Sequence, residues 1–150
     1  MYSATVGLVK ATWHADPVDA FAISCSSELK SVNRQIQVKT YSVPGVVEIP
    51  LFTKKLIQTQ TVDIVVVAGL IADHGVYRHD FVASTVMDAT MKVQMETGVP
   101  IIYGILTPQE FMSEGRTEFF NKHFIKKGQE AAMSVLRTLD NERLLADLRT

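Results

Sequence analysis

The chain has 150 residues, 47% of them hydrophobic and 21% charged, with a formal net charge of −1. That length fits one domain, residues 1–150, with an adequate core, and the balance describes a soluble globular protein. A charge so close to zero supplies no general field for nucleic acid or an anionic membrane, and the longest apolar run, residues 64–72, is too short to span a bilayer. No basic segment leading into an apolar stretch opens the chain, so nothing directs it to secretion. Cys25 is the sole cysteine, which excludes an internal disulfide and leads us to expect a small buried thiol in a reducing, cytoplasmic setting.

In chain order, residues 5–11 read as a buried strand. Asp16-Pro17 then predicts a helix start, with Asp16 as N-cap and proline at the first helical position, and the helix runs over 17–31. Residues 36–42 form a second strand, ended by Val43-Pro44-Gly45. A second helix spans about 48–59, with Ile49, Phe52 and Leu56 as its apolar stripe. A third strand, 63–71, feeds a turn in which Asp73, His74, Arg78, His79 and Asp80 crowd together. The helix after it covers 79–97 and closes on Gly98. Residues 99–106 are a fourth strand, and Thr107 stands three residues before Glu110, at capping-box spacing. The remainder, about 117–149, is helical, with Phe120, Phe124, Ala131, Val135 and Leu139 along one side.

Strands that alternate with helices predict an α/β, three-layer α/β/α sandwich, flavodoxin-like, with a central parallel sheet of about four strands. In such open sheets ligands sit beyond the carboxyl ends of the strands. The site should therefore draw on the turns 12–14, 43–48, 72–78 and 106–116, and the conspicuous polar and aromatic clusters fall in those turns. The third turn also joins a strand to a helix N-terminus, where backbone N–H groups and the helix dipole favour anions. His14 and His123 lack any ligand spacing, so no metal site is expected. Met87, Met91 and Met95 recur at i, i+4 and read as core or subunit-interface packing.

Four segments carry a resemblance: Trp13-His14-Ala15-Asp16, Val43-Pro44-Gly45-Val46-Val47-Glu48-Ile49-Pro50, the turn from Gly69 to Val82, and Lys127-Gly128-Gln129-Glu130-Ala131-Ala132. In this order and spacing the chain resembles the 6,7-dimethyl-8-ribityllumazine synthases over nearly its whole length. The Tyr77-Arg78-His79-Asp80-Phe81 form is similar to a divergent branch that assembles as a decamer of two stacked pentamers. The resemblance implies a cofactor-independent transferase of riboflavin biosynthesis. Such an enzyme condenses 5-amino-6-(D-ribitylamino)uracil with 3,4-dihydroxy-2-butanone 4-phosphate, with phosphate and water lost. It also implies small-molecule substrates and a homo-oligomer whose sites lie at subunit interfaces, with no nucleic-acid or membrane partner.

The resemblance further implies site residues. Trp13 matches the aromatic that stacks on the uracil, although a core tryptophan is the plainer alternative. Val46, Val47 and Glu48 match the segment that binds the ribityl chain and ring, and Glu48 alone would also suit a helix's first turn. Leu70, Ile71 and Ala72 match the strand end that reads the uracil edge, and Tyr103 matches a residue that borders the ring from a neighbouring subunit. Gly75 and Val76 match the phosphate-binding turn, with Arg116 and Lys127 as further phosphate ligands. Two departures stand out: Gly45-Val46-Val47-Glu48 replaces the usual Gly-Ala-Phe-Glu, and Arg78 stands where a proton-donating histidine is common. An arginine stays protonated near neutral pH and holds an anion rather than moving a proton. We therefore expect Arg78 at the catalytic position, with His79 beside it as proton shuttle.

Other functions of the same architecture fit less well. A flavin electron carrier needs a hydroxyl- and glycine-rich loop after the first strand, which Trp13-His14-Ala15-Asp16 is not. A phospho-accepting signalling module needs paired acids there and a fifth strand. A lumazine synthase relative with weakened chemistry, acting as a flavin- or ribityllumazine-binding scaffold, remains the alternative, kept open by Arg78.

Overall fold

The computed structural model describes residues 3–73, 78–108 and 116–150, apart from the side chain of Thr117. Strands β1 (Ala4–Ala11), β2 (Ile36–Val43), β3 (Ile64–Leu70) and β4 (Ile101–Leu106) alternate with helices α1 (Ala15–Val32), α2 (Ile49–Gln58), α3 (His79–Thr97) and α4 (Arg116–Asp147). A single 3-10 turn, Val46–Glu48, leads into α2. The strands pair in parallel in the order β2-β1-β3-β4.

The α/β sandwich with a parallel four-stranded sheet is thus present, and each expected element occurs within two residues of its expected bounds. Its cause is visible in the strands. Every residue of β3, from Ile64 to Leu70, is buried, because helices cover both faces of the sheet. Alternate side chains serve opposite cores. Val6, Leu8, Ile64, Val66 and Ala68 pack with α1 and α4, whereas Val9, Ala11, Val65 and Val67 pack with α2 and α3. Right-handed crossovers explain the layering: the chain leaves β1 toward one edge through α1, then moves the other way through α2 and α3.

Three start and stop signals resolved differently from the sequence reading or beside it. α1 begins at Ala15, not Pro17, and Asp16 makes no cap. His14 takes the N-cap position in a left-handed conformation (φ 59°), and its carbonyl accepts the Val18 N–H at 3.2 Å. Pro17 is tolerated in the first turn because its missing N–H would have no intrahelical partner anyway. β4 starts at Ile101 because Pro100 has no N–H for the ladder, although its carbonyl accepts the Val65 N–H at 3.0 Å. Gly98 ends α3 as expected, left-handed at φ 71° with its N–H on Gln94 O at 2.9 Å. Thr107 is described but Glu110 lies outside the described residues, as does the capping box that the two would form.

α1 and α4 cross closely at Gly128. A Cβ there would strike the Phe21 carbonyl and sit 2.9 Å from Ser24 Cβ, and Ser24 Oγ donates to the Ile125 carbonyl at 2.6 Å. Phe120, Phe124, Ala131, Val135 and Leu139 are all buried on the inner side of α4. Met87, Met91 and Met95 are exposed, Met95 by 79%, so the core reading of that series is wrong. Their spacing follows the outer face of α3. None of the helices, among the described residues, is long and apolar enough to cross a membrane.

Cys25 is fully buried beneath this crossing, and burial pushes its thiol up from 9.0 to about 12. The sign follows directly. Between those values the unfolded chain releases the proton that the folded chain keeps, so this contribution is full below pH 9 and is lost as pH rises toward 12. We expect the unfolding free energy to decline above pH 9 in the native sequence and less steeply in Cys25→Ala, as read by urea denaturation. Equal alkaline slopes in the two proteins would contradict it.

Candidate functional site

The chain reverses direction across the sheet between β1 and β3, the place beyond whose strand ends open sheets of this kind receive ligands. Its floor depends on a missing side chain. A Cβ on Gly69 would lie 2.6 Å from Val46 Cγ1, so the absence of one lets the 46–48 turn rest on the end of β3. The turn is closed by reciprocal bonds: the Glu48 N–H donates to Gly45 O at 3.2 Å, and the Gly45 N–H donates to Glu48 Oε2 at 2.9 Å. One Glu48 oxygen therefore has a structural duty.

Trp13 stands over this turn. Its Cε3 and Cζ3 atoms lie 3.1 and 3.2 Å from where a Gly45 Cβ would be, so a side chain there would push the indole back by a few tenths of an ångström. The indole is 68% exposed, which removes the core-tryptophan alternative. The two turns are also tied through their backbones. The Thr12 N–H donates to Val43 O at 2.9 Å, and Thr12 Oγ1 and the Trp13 N–H donate to Pro44 O at 2.9 and 3.4 Å. Opposite, Leu70, Ile71 and Ala72 are buried. The Ile71 N–H donates to Leu106 O at 2.9 Å, so the backbone of Ile71 has only its carbonyl to offer a ligand.

The start of α3 closes the third side. Phe81, Val82, Thr85 and Val86 line a groove of about 160 Å³ with Val47 and Pro50, which sets the 46–48 turn beside the first turn of α3. The Arg78 guanidinium lies 5.5 Å above the Phe81 ring, and the Arg78 carbonyl accepts the Phe81 N–H at 3.2 Å. His79 Nδ1 is 3.7 Å from Asp73 Oδ1, an ion pair when the ring is protonated. Gly75 and Val76 lie outside the described residues.

Trp13, Val46, Val47, Glu48, Leu70, Ile71, Ala72, Arg78 and His79 thus share one rim within one chain. Three other candidates lie on β4 and α4. Tyr103 pairs in register with Val67 on the edge strand β4, three residues short of its end and roughly 10 Å below the rim. Burial raises its phenol above the usual 10.0. Arg116 opens α4 with its guanidinium 5.1 and 4.9 Å over the Phe119 and Phe120 rings, and its Nε is buried without a partner among the described residues. Lys127 is eleven residues further on, about 16 Å along the helix, and pairs with Glu130 at 2.9 Å. That hydrogen bond holds the exposed Glu130 carboxyl below its usual range. No group of three metal-binding side chains occurs among the described residues. The Asp73–His79 pair and the Phe81 shelf under Arg78 escaped the sequence reading, and the one available signal was the crowding of ionisable groups in that turn.

Fold and rim define an α/β protein whose candidate site lies at its topological switch point. Residues 3–143 match the family model described as 6,7-dimethyl-8-ribityllumazine synthase, and the chain belongs to that family. It is 37% identical over 142 residues to the 6,7-dimethyl-8-ribityllumazine synthase of Rhodococcus erythropolis, which spans 93% of this chain and 92% of that one. It is 42% identical over 135 residues to 6,7-dimethyl-8-ribityllumazine synthase 2 of Bradyrhizobium diazoefficiens, covering 89% and 81% of the two chains. The synthase 2 of Pseudomonas syringae pv. tomato is 39% identical over 145 residues, or 95% and 85%.

The contact between Gly69 and Val46 is testable through Trp13, the chain's sole tryptophan. Gly69→Ala should displace the 46–48 turn, lower stability by about 1–3 kcal/mol through overpacking, and shift the Trp13 emission maximum in the folded protein. An unaltered emission spectrum would show that the turn does not depend on that vacancy.

Proposed function

We propose that this chain catalyses the condensation of 5-amino-6-(D-ribitylamino)uracil with 3,4-dihydroxy-2-butanone 4-phosphate to 6,7-dimethyl-8-ribityllumazine, the penultimate step of riboflavin biosynthesis. The observation that carries this reading is an exposed indole set over the Gly45–Glu48 turn at the switch point, in a chain matched to the family over residues 3–143. Trp13 stacks on the uracil, the 46–48 turn and the 70–72 strand end receive the ring and ribityl chain, and Arg78 stabilises developing negative charge. His79 moves protons. An amine adds to the ketone, an imine forms, phosphate is eliminated and the second amine closes the ring. The protein's task is to hold two substrates in line and relay protons.

The sites are shared between subunits. Tyr103, Arg116 and Lys127 act across an interface on a neighbour's crevice, with Gly75 and Val76 as backbone ligands of the phosphate. The assembly is a pentamer, two of which stack as a decamer in the cytoplasm. Exposed Val47, Leu51, Phe81 and Met95 on the α2–α3 side supply apolar surface for such contacts.

A coupled turnover assay tests the activity: both substrates are mixed with the protein and the appearance of lumazine is followed optically. Native protein should turn over, and Trp13→Ala should raise KM for the aminouracil about tenfold through lost stacking. Absence of turnover together with tight binding of lumazine or riboflavin would identify a binding scaffold instead. Light scattering should give ten times the 16.7 kDa protomer mass. Five times that mass would restrict the assembly to a pentamer, and the protomer mass alone would remove the shared site.

A further inference from the structure

Arg78 occupies the position from which the family commonly supplies a proton, yet a guanidinium keeps its protons near neutral pH. The structure also turns it aside, exposed at the surface with its guanidinium over Phe81. The neighbouring imidazole is held differently. His79 is the first residue of α3, its side chain 31% exposed, and Asp73 reaches it from the end of β3 with Oδ1 3.7 Å from Nδ1. Among the described residues, the other charged groups of this turn are Arg78, on the Phe81 shelf, and Asp80, exposed in the first turn of α3. At 3.7 Å the pair is an ionic contact rather than a hydrogen bond, of the kind that tightens when substrate closes a site; a carboxylate that closes on Nδ1 fixes the tautomer and leaves Nε2 for proton exchange.

We propose that Asp73 is a positioning residue that holds His79 through Nδ1 and presents Nε2 to the reacting amine and ketone. The inference rests on the condensation proposed above and adds to the proton-transferring His79 the group that orients it. The step balances. The 5-amino nitrogen bonds to the ketone carbon to give a carbinolamine. Nε2–H of the imidazolium donates its proton to the carbinolamine hydroxyl, the C–O bond breaks and water leaves. The iminium N–H then returns a proton to Nε2 as the neutral imine forms. The Nδ1 proton stays beside Asp73 throughout, and no other reactant is needed. Arg78 remains a fixed positive charge.

A double-mutant cycle on the full chain tests this. Asp73→Asn should lower kcat about 100-fold with KM changed less than about twofold, because binding is left alone and an acid–base group is misoriented. In a His79→Gln background, Asp73→Asn should change kcat less than about twofold, because the group it orients is gone. Asp73→Glu should restore at least tenfold of the loss. Equal losses in both backgrounds, or a loss confined to KM, would overturn the proposal. A second readout is independent of turnover. Side-chain nitrogen NMR of the neutral imidazole should show His79 as the Nδ1–H tautomer in the native protein and not in Asp73→Asn. An identical tautomer in the two proteins would overturn the proposal. A tautomer change in a native protein that does not turn over would sink the condensation reading and leave Asp73 as the orienting group.

Discussion

The architecture of the rim depends on one vacancy, the missing Cβ of Gly69. A parallel sheet covered on both faces leaves little room beyond its strand ends, and the 46–48 turn must approach β3 closely to complete the second core. Val46 fills the space that any side chain at 69 would occupy. With the turn seated there, Gly45 comes beneath the indole of Trp13, and the Glu48 carboxylate closes the turn from within. Two glycines therefore place an aromatic ring that neither of them touches in sequence. A rigid turn on a buried strand end is also a better platform for a stacked ligand than a free loop, because less ordering is needed on binding.

The start of α3 shows how chemistry changes hands between adjacent positions. Arg78 and His79 are neighbours in the chain, but a helix begins between them, and the first helical residue faces a different environment from the one before it. The outer position finds an aromatic shelf in Phe81, three residues on, and the inner one finds the carboxylate at the end of β3. Permanent charge and exchangeable proton are thereby separated within one turn.

The opposite layer holds the fold rather than the site. α1 and α4 approach closely at Gly128, where Phe21, Ser24 and Cys25 meet α4, and the hydroxyl of Ser24 reaches a carbonyl one helix away. The Lys127-Gly128-Gln129-Glu130 segment is thus explained at Gly128 by packing and at Lys127 and Glu130 by a local ion pair, worth little at an exposed surface. Tyr103 lies within β4, whereas Arg116 and Lys127 lie along α4, eleven residues apart.

Periodicity and punctuation made the element order legible in the sequence. The Val-rich run of β3, the Ile49–Phe52–Leu56 stripe, Gly98 as a helix stop and the inner face of α4 all rest on local rules of burial and backbone freedom. The rim could be located too, because an alternation of strands and helices places ligands at the carboxyl ends of strands. Other features came only with tertiary structure. Asp16 lost its cap because backbone contacts between the first two turns draw His14 into the left-handed region. Met87, Met91 and Met95 proved exposed because spacing reports that residues share a helix face and not which way that face is turned. Asp73 met His79 because a strand end and a helix start, six residues apart, fold back on each other. Sequence by itself determined the elements and the end of the sheet on which the candidate residues gather, since both follow from local periodicity. Which side chains touch there was decided by packing between distant segments, a property no local pattern encodes.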